Sequence, residues 1–284
     1  MNQSITPNSF QNWCQDPDRK TLVMGIVNVT PDSFSDGGQF YHPEKAIIHA
    51  IQLIKDGADI IDIGGESSRP GANHVLLQEE LERTIPVIQK IRQTSPDTLI
   101  SIDTYKSEVA IQAIEAGANM INDISGLTMD KTMPNIAADL GVPIVIMHMQ
   151  GTPANMQVNP HYEDLILDIT SFFSDQIKLA NTAGIKMERI ILDPGIGFGK
   201  TIDHNFQLIQ NLNEFCKLGY PILIGPSRKS FIGTTLDLPP EDRLEGTSAV
   251  VTAGIMNGAR IVRVHDVKEI KRVVTITEKI RTAA

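Results

Sequence analysis

Three stretches of this chain share one pattern: Gly57-Ala58-Asp59-Ile60-Ile61-Asp62, Gly117-Ala118-Asn119-Met120-Ile121-Asn122 and Gly258-Ala259-Arg260-Ile261-Val262-Arg263. In each, a glycine suited to end a helix precedes a small alanine and a short apolar run that closes on a polar side chain. Near-continuous apolar character, without polar alternation, marks a strand buried on both faces. Runs of this kind recur between longer amphipathic segments at Leu22–Asn28, Asp59–Gly64, Thr98–Asp103, Met120–Asp123, Val142–Met147, Ile190–Asp193, Ile222–Gly225 and Ile261–Val264. The first intervening helix shows the period well, with Pro43 in its first turn, Ala46, Ile47, Ala50, Ile51 and Ile54 on one face, and Gly57 at its end. Eight strand-helix pairs predict an α/β fold with a parallel sheet, a (β/α)8 TIM barrel in a single domain. An open doubly wound sheet is the competing architecture, and it too places ligands at the carboxyl ends of its strands. Either way Asp62, Asn122 and Arg263 need partners, because polar groups at the ends of buried strands do not go unpaired.

A chain of 284 residues is long enough for one such barrel. Residues 1–20 read as a polar N-terminal extension and 21–284 as the barrel domain. The extension lacks the apolar stretch of a signal peptide, and no segment reaches a membrane span. A net charge of −9 and the absence of basic runs exclude a nucleic-acid surface. Cys14 and Cys216 have no CxxC partner, so neither a disulfide framework nor a zinc site is expected, and a cytoplasmic protein is. The sequon at Asn28 follows an apolar run in a chain without an export signal and is read as fortuitous.

The chemistry-bearing residues cluster after the strands. The first run leads into Asn28 to Gly38, a long polar connection of the kind that carries function in barrels. The second leads into Gly64 to Ala72, where glycines permit close backbone approach and Arg69 is suited to an anion. Asp103 and Asp193 each terminate an apolar strand, where an unpaired carboxylate is costly and paired N–H donors from a heterocycle such as an aminopyrimidine would satisfy it; the bland alternative is a carboxylate capping the next helix. Gly195 to Thr201 mimics a nucleotide phosphate loop, but the spacing puts Pro194 where such a loop needs its first glycine. The segment is instead read as bringing backbone and Phe198 close to a ligand. Lys229 lies past the seventh strand and Arg263 and His265 at the end of the eighth, where barrels often bind phosphate, and all three are suited to a pyrophosphate. His148 is given no role. The histidines show no zinc spacing; magnesium fits better, since it accepts one protein oxygen plus phosphates and waters.

Together these segments resemble the dihydropteroate synthases. Met24 to Gly38 and Gly64 to Gly71 are similar to the two loop motifs of that family. Ser101-Ile102-Asp103-Thr104, Asn122-Asp123-Ile124, Met147-His148-Met149, Leu192 to Lys200, Ser227-Arg228-Lys229-Ser230 and Arg263 to Val267 continue the match in order. The resemblance implies a pterin pocket made by Asp103, Asn122, Met147, Asp193, Gly225 and Lys229. It implies a pyrophosphate site at Asn28, Arg263 and His265, with Asn28 giving an oxygen to Mg²⁺. Ser68, Arg69, Phe198 and Ser230, together with Lys229, would border 4-aminobenzoate, and a homodimer is expected. The catalytic set implied is Asp103, Asp193, Lys229, Arg263 and His265. Ser68 replaces the usual Thr, and Pro226 fills a slot more often held by a small or β-branched residue with a backbone N–H. A pterin-dependent methyltransferase domain and a noncatalytic pterin-binding module are the alternatives.

Overall fold

The computed structural model describes residues 5–30, 43–69, 71–72 and 74–283. Among these residues the strands are β1 (Leu22–Asn28), β2 (Ile60–Gly64), β3 (Leu99–Asp103), β4 (Met120–Asp123), β5 (Ile144–Met147), β6 (Ile190–Asp193), β7 (Ile222–Ile224) and β8 (Ala259–Val264). They form a closed parallel barrel in chain order, β8 pairing back onto β1, with helices between successive strands. The TIM-barrel expectation is met, and the open sheet is excluded by the β8–β1 ladder.

Boundaries differ from the sequence reading by one or two residues, for local reasons. β2 starts after Asp59, whose carboxylate accepts the Val23 N–H at 2.8 Å and Lys271 at 2.5 Å, tying the strand's entrance to its neighbours. β5 starts after Pro143, which has no N–H for the ladder and contributes only its carbonyl, to Ile121 N at 2.9 Å. The repeated glycines behave as the pattern requires: Gly57, Gly117 and Gly258 have φ of 101°, 115° and 113°, left-handed values that side chains rarely adopt.

Because side chains alternate across a strand, each strand sorts its residues into two sets. One set, including Val23, Ile61, Ile100, Ile121, Ile146, Leu192, Ile224 and Val262, packs outward against the helices. The other set fills the barrel. Its lower layer is apolar: Met24, Ile60, Leu99, Met120, Val145, Ile191, Leu223 and Ile261 pack together. One step of two residues further, the interior becomes Asp62, Ser101, Asn122, Met147, Asp193, Gly225 and Arg263. The polar rim is thus a property of strand register.

The N-terminal stretch is not merely a polar extension. Helix Pro7–Gln15 closes the opposite mouth of the barrel, with Phe10, Trp13 and Cys14 packed on the lower interior layer. Trp13 stacks on Phe10 at 5.3 Å and donates from Nε1 to Lys20 O at 2.8 Å. Replacing Trp13 by Ala should remove about 3 kcal/mol of stability, the cost of emptying a buried aromatic site. Kinetic constants below the unfolding transition should stay near wild type, because the far mouth serves stability rather than chemistry. Thermal unfolding and steady-state assays on the same preparation check both halves.

Candidate active site

At the carboxyl ends of the strands the three repeat residues meet. Arg263 donates from Nε to Asp62 Oδ2 at 2.6 Å and from Nη2 to Asp103 Oδ2 at 2.7 Å, and Asn122 Nδ2 donates to the same Asp62 oxygen at 3.0 Å. One guanidinium therefore joins two carboxylates from adjacent strands, and Nη1 takes no part in either bond. Asp62 was marked by its pattern but given no role by sequence reasoning; here it is the hub. Its Oδ1 is buried without a hydrogen-bond partner, as is the hydroxyl of Ser101, its register partner on β3.

Asp193, on the far side, is buried and accepts the Gly195 N–H at 2.7 Å through Oδ1. Burial pushes its carboxyl above the ordinary range, opposed by Lys229. Burial likewise drives Asp103 up to about 7, with Arg263 pulling it back. Lys229 is moved down to about 7 by burial, against the pull of Asp193. Its ammonium donates to Ile196 O and sits 4.3 Å from the centre of the Phe198 ring, so Phe198 and Lys229 form one wall.

His265 is half-buried after β8. Its backbone N–H donates to Ser227 Oγ at 3.2 Å, while Ser227 Oγ lies 3.0 Å from His265 Nδ1. Ser227 thus engages both the backbone and the ring of His265 and fixes the imidazole's orientation. Burial and the nearby Arg263 and Arg228 bring His265 down to about 4. At neutral pH it is a donor, not a cation, which refines its sequence reading as one of three cationic or donor groups. Asn28 ends β1 in the interior set, level with Gly64. Ser68 is half-buried, and Arg69 and Ser230 are exposed at the rim. Met147 and Gly225 lie in the interior level of the acids, with Gly225 against Arg263. The first loop beyond Thr30, with Pro70, lies outside the described residues.

The loop 195–199 is held by a lysine that sequence reasoning passed over. Lys200 is 3% exposed and lies 3.0 Å from His148 Nδ1 and 2.9 Å from Phe198 O. Burial lowers its ammonium well below the usual lysine range and His148 to about 2, so the imidazole is neutral and accepts from Lys200. Gly195 is obligatory: φ is 69°, and a Cβ would lie 1.9 Å from His148 O. Asp123, by contrast, is structural. It is fully buried and accepts Ser125 N at 2.8 Å and Leu127 N at 2.9 Å, closing the turn after β4.

Residues 24–265 match the family model described as pterin binding enzyme. The chain is 52% identical over 261 residues to the dihydropteroate synthase of Synechocystis sp., spanning 92% of this chain and 90% of that protein. The chain belongs to the dihydropteroate synthase family. These are transferases of folate synthesis, and the solved structures agree with the assignment. Yersinia pestis dihydropteroate synthase in complex with a sulfonamide drug is 46% identical with a TM-score of 0.89, over 94% of this chain and 97% of that one. Xanthomonas albilineans dihydropteroate synthase with 4-aminobenzoic acid is 42% identical, with a TM-score of 0.88 over 94% and 95%.

Removing the guanidinium tests the hub. Without Arg263, Asp103 would be a buried carboxylate with no counter-ion, and such breakage costs about 3–5 kcal/mol. The sign with pH follows from Asp103. Its folded-state value is raised, so its favourable contribution is present in acid and lost as pH rises toward 7, a loss that Arg263 limits. Arg263→Met should therefore be destabilised more at pH 8 than at pH 5. Denaturant melts of wild type and variant at both values measure this; an equal deficit at the two would mean that Asp103 is not the group relieved.

Proposed function

We propose that the barrel mouth joins 6-hydroxymethyl-7,8-dihydropterin pyrophosphate to 4-aminobenzoate, giving 7,8-dihydropteroate and pyrophosphate, and that its contribution is electrostatic. The observation that carries this reading is the two-residue step in the barrel interior, which sets Asp62, Asn122, Asp193 and Arg263 on one level, with Asp103 at the end of β3 bonded to the same Arg263 and Lys229 and His265 on the connections that follow. A flat, donor-rich heterocycle suits the acids and Asn122, with Met147 packing near it and Gly225 leaving room beside Arg263. A diphosphate tail suits the imidazole of His265, the remaining donors of Arg263 and the amide of Asn28.

In the reaction the bond from the methylene carbon to the diphosphate oxygen breaks, and the electron pair leaves with pyrophosphate. The aniline nitrogen of 4-aminobenzoate then bonds to that carbon and gives up one proton. Positive charge grows on the pterin, and carboxylates fixed in a dry rim stabilise it without reorganising. Three carboxylates, Asp62, Asp103 and Asp193, face two cations, Lys229 and Arg263, so the pterin level retains an acidic surplus. Phe198, with Lys229 against its face, and Ser68, Arg69 and Ser230 at the rim would border the aminobenzoate. Sulfonamides are expected to compete there, the reading to which the Yersinia pestis complex lends support.

Magnesium would neutralise charge on the departing diphosphate. Among the described residues no group of three or more His, Cys, Asp or Glu is arranged to hold a metal. The donor set fits an ion that takes one oxygen, from Asn28, and completes its shell with diphosphate and water. A cytoplasmic location and a homodimer complete the proposal; among the described residues no helix is long and apolar enough to cross a membrane.

Asp193→Ala should weaken pterin binding by about 2 to 3 kcal/mol, the range for hydrogen bonds to a charged group, roughly 30- to 150-fold. Titration calorimetry with the pterin pyrophosphate measures it, and unchanged affinity would remove Asp193 from the pocket. Pyrophosphate release should require 4-aminobenzoate together with the pterin substrate. Tight pterin binding with no release under any condition would leave a binding module in place of an enzyme.

A further inference from the structure

A second ionic cluster lies beneath the loop that follows β2. Glu80, on helix Leu77–Thr94, is 1% exposed, and its Oε1 is buried with no hydrogen-bond partner. Its Oε2 accepts from Lys106 Nζ, and the same ammonium donates to Oε2 of Glu66, in the loop itself. Tyr105 Oη lies 3.2 Å from both oxygens of Glu66, and Lys106 Nζ is 4.9 Å from the centre of the Tyr105 ring. Glu66 is therefore gripped by two consecutive residues just past Asp103. One position earlier, Arg83 Nη1 donates to Gly65 O at 2.7 Å.

Burying Glu80 does not require Glu66. Lys106 and Glu80 alone make a neutral pair, and a second carboxylate adds unbalanced charge in a poorly solvated place. An ammonium with three donors can serve both acids, and what Glu66 adds is a tether on the loop. The tether spans the one distance that matters to the site. A small cavity has Glu66 and Ser68 on its loop side and Asp103 and Tyr105 on its strand side. Fixing Glu66 against Tyr105 and Lys106 fixes Ser68 and Arg69 against Asp103.

We propose that Lys106 and Tyr105 latch Glu66, making all three positioning residues that hold Ser68 and Arg69 over the 4-aminobenzoate pocket. The inference rests on the reading that Ser68 and Arg69 border 4-aminobenzoate. Burial opposes the charge on Lys106, but the bonds to Glu66 and Glu80 outweigh it and raise its ammonium above the ordinary lysine range, so the latch is charged throughout the neutral range.

Glu66→Ala removes the tether while leaving the Lys106–Glu80 pair, so the fold should persist. The Michaelis constant for 4-aminobenzoate should rise about tenfold, the scale of one charge-assisted bond, while that for the pterin pyrophosphate stays within about twofold. Amide hydrogen exchange in residues 65–69 should quicken, and Glu66→Gln, which keeps a polar contact to Tyr105, should fall between. Arg69→Ala separates the two ideas. If it raises the 4-aminobenzoate constant while Glu66→Ala changes neither that constant nor exchange, the latch is overturned and the pocket stands. If Arg69→Ala leaves the constant unchanged, the pocket reading fails and takes the latch's purpose with it, even where exchange in Glu66→Ala has quickened.

Discussion

A closed barrel leaves each strand's inward side chains little solvent, so polar groups placed there call for partners in the barrel or in a ligand. That constraint acts most sharply on Arg263. Its guanidinium is inside the ring of strands, and the fold compensates it with Asp62 from β2 and Asp103 from β3. The charges do not cancel: one cation faces two acids, and one oxygen of Asp62 stays without a partner. An apolar filling of similar volume would be at least as stable. The rim is therefore a place where the chain has kept stability below what its size permits, and such places are where binding chemistry is found.

The same low dielectric that makes these groups costly makes them responsive. Asp103 and Lys229 are drawn from opposite ends of the pH scale to about 7 by one cause, burial. Each is restrained by a neighbour of opposite sign, Arg263 for the acid and Asp193 for the base. A ligand that brings its own charge shifts this balance more than it would in water, because the groups are already fixed and poorly solvated. His265 is treated differently. Crowded by Arg263 and Arg228, it loses its proton and contributes a dipole, which lets an anion approach without a third full cation to desolvate.

Much of this was legible in the sequence, for a specific reason. Strand register makes interior residues recur at every second position, so a polar residue breaking an apolar run, as at Asp62, Asn122 and Arg263, already announced the rim. What periodicity could not convey was pairing. Asp62 and Arg263 are separated by 201 residues and meet only because β8 closes onto β1, two strands from β3. Lys200 is hidden for another reason: after Gly195, Gly197 and Gly199 it imitates a phosphate-binding loop, and its actual partners, His148 and the Phe198 carbonyl, are set by the fold and not by local spacing. Helix Pro7–Gln15 was the missed element with a readable signal. Phe10, Trp13 and Cys14 stand at i, i+3 and i+4, the spacing of an amphipathic face, obscured by the polar residues between them.

Precision at this site comes from two kinds of support. Asp62, Asp103, Asn122, Asp193 and Arg263 stand on strands, whose positions are set by the barrel ladder. Ser68, Arg69, Phe198 and Lys229 stand on connections, which need ties of their own. Those ties are built from poorly solvated basic side chains: Lys200 holds the loop 195–199, Lys106 meets Glu66, and Arg83 meets the Gly65 carbonyl. A buried ammonium or guanidinium is suited to this task because several fixed donors can gather carbonyls and carboxylates from separate segments. The division matches what each half of the site must do. Under the proposed function the strand-borne acids would receive a rigid ring and gain from being immobile, whereas the connections would have to admit a second substrate and then exclude water, which calls for ties that hold position without the permanence of a β-ladder.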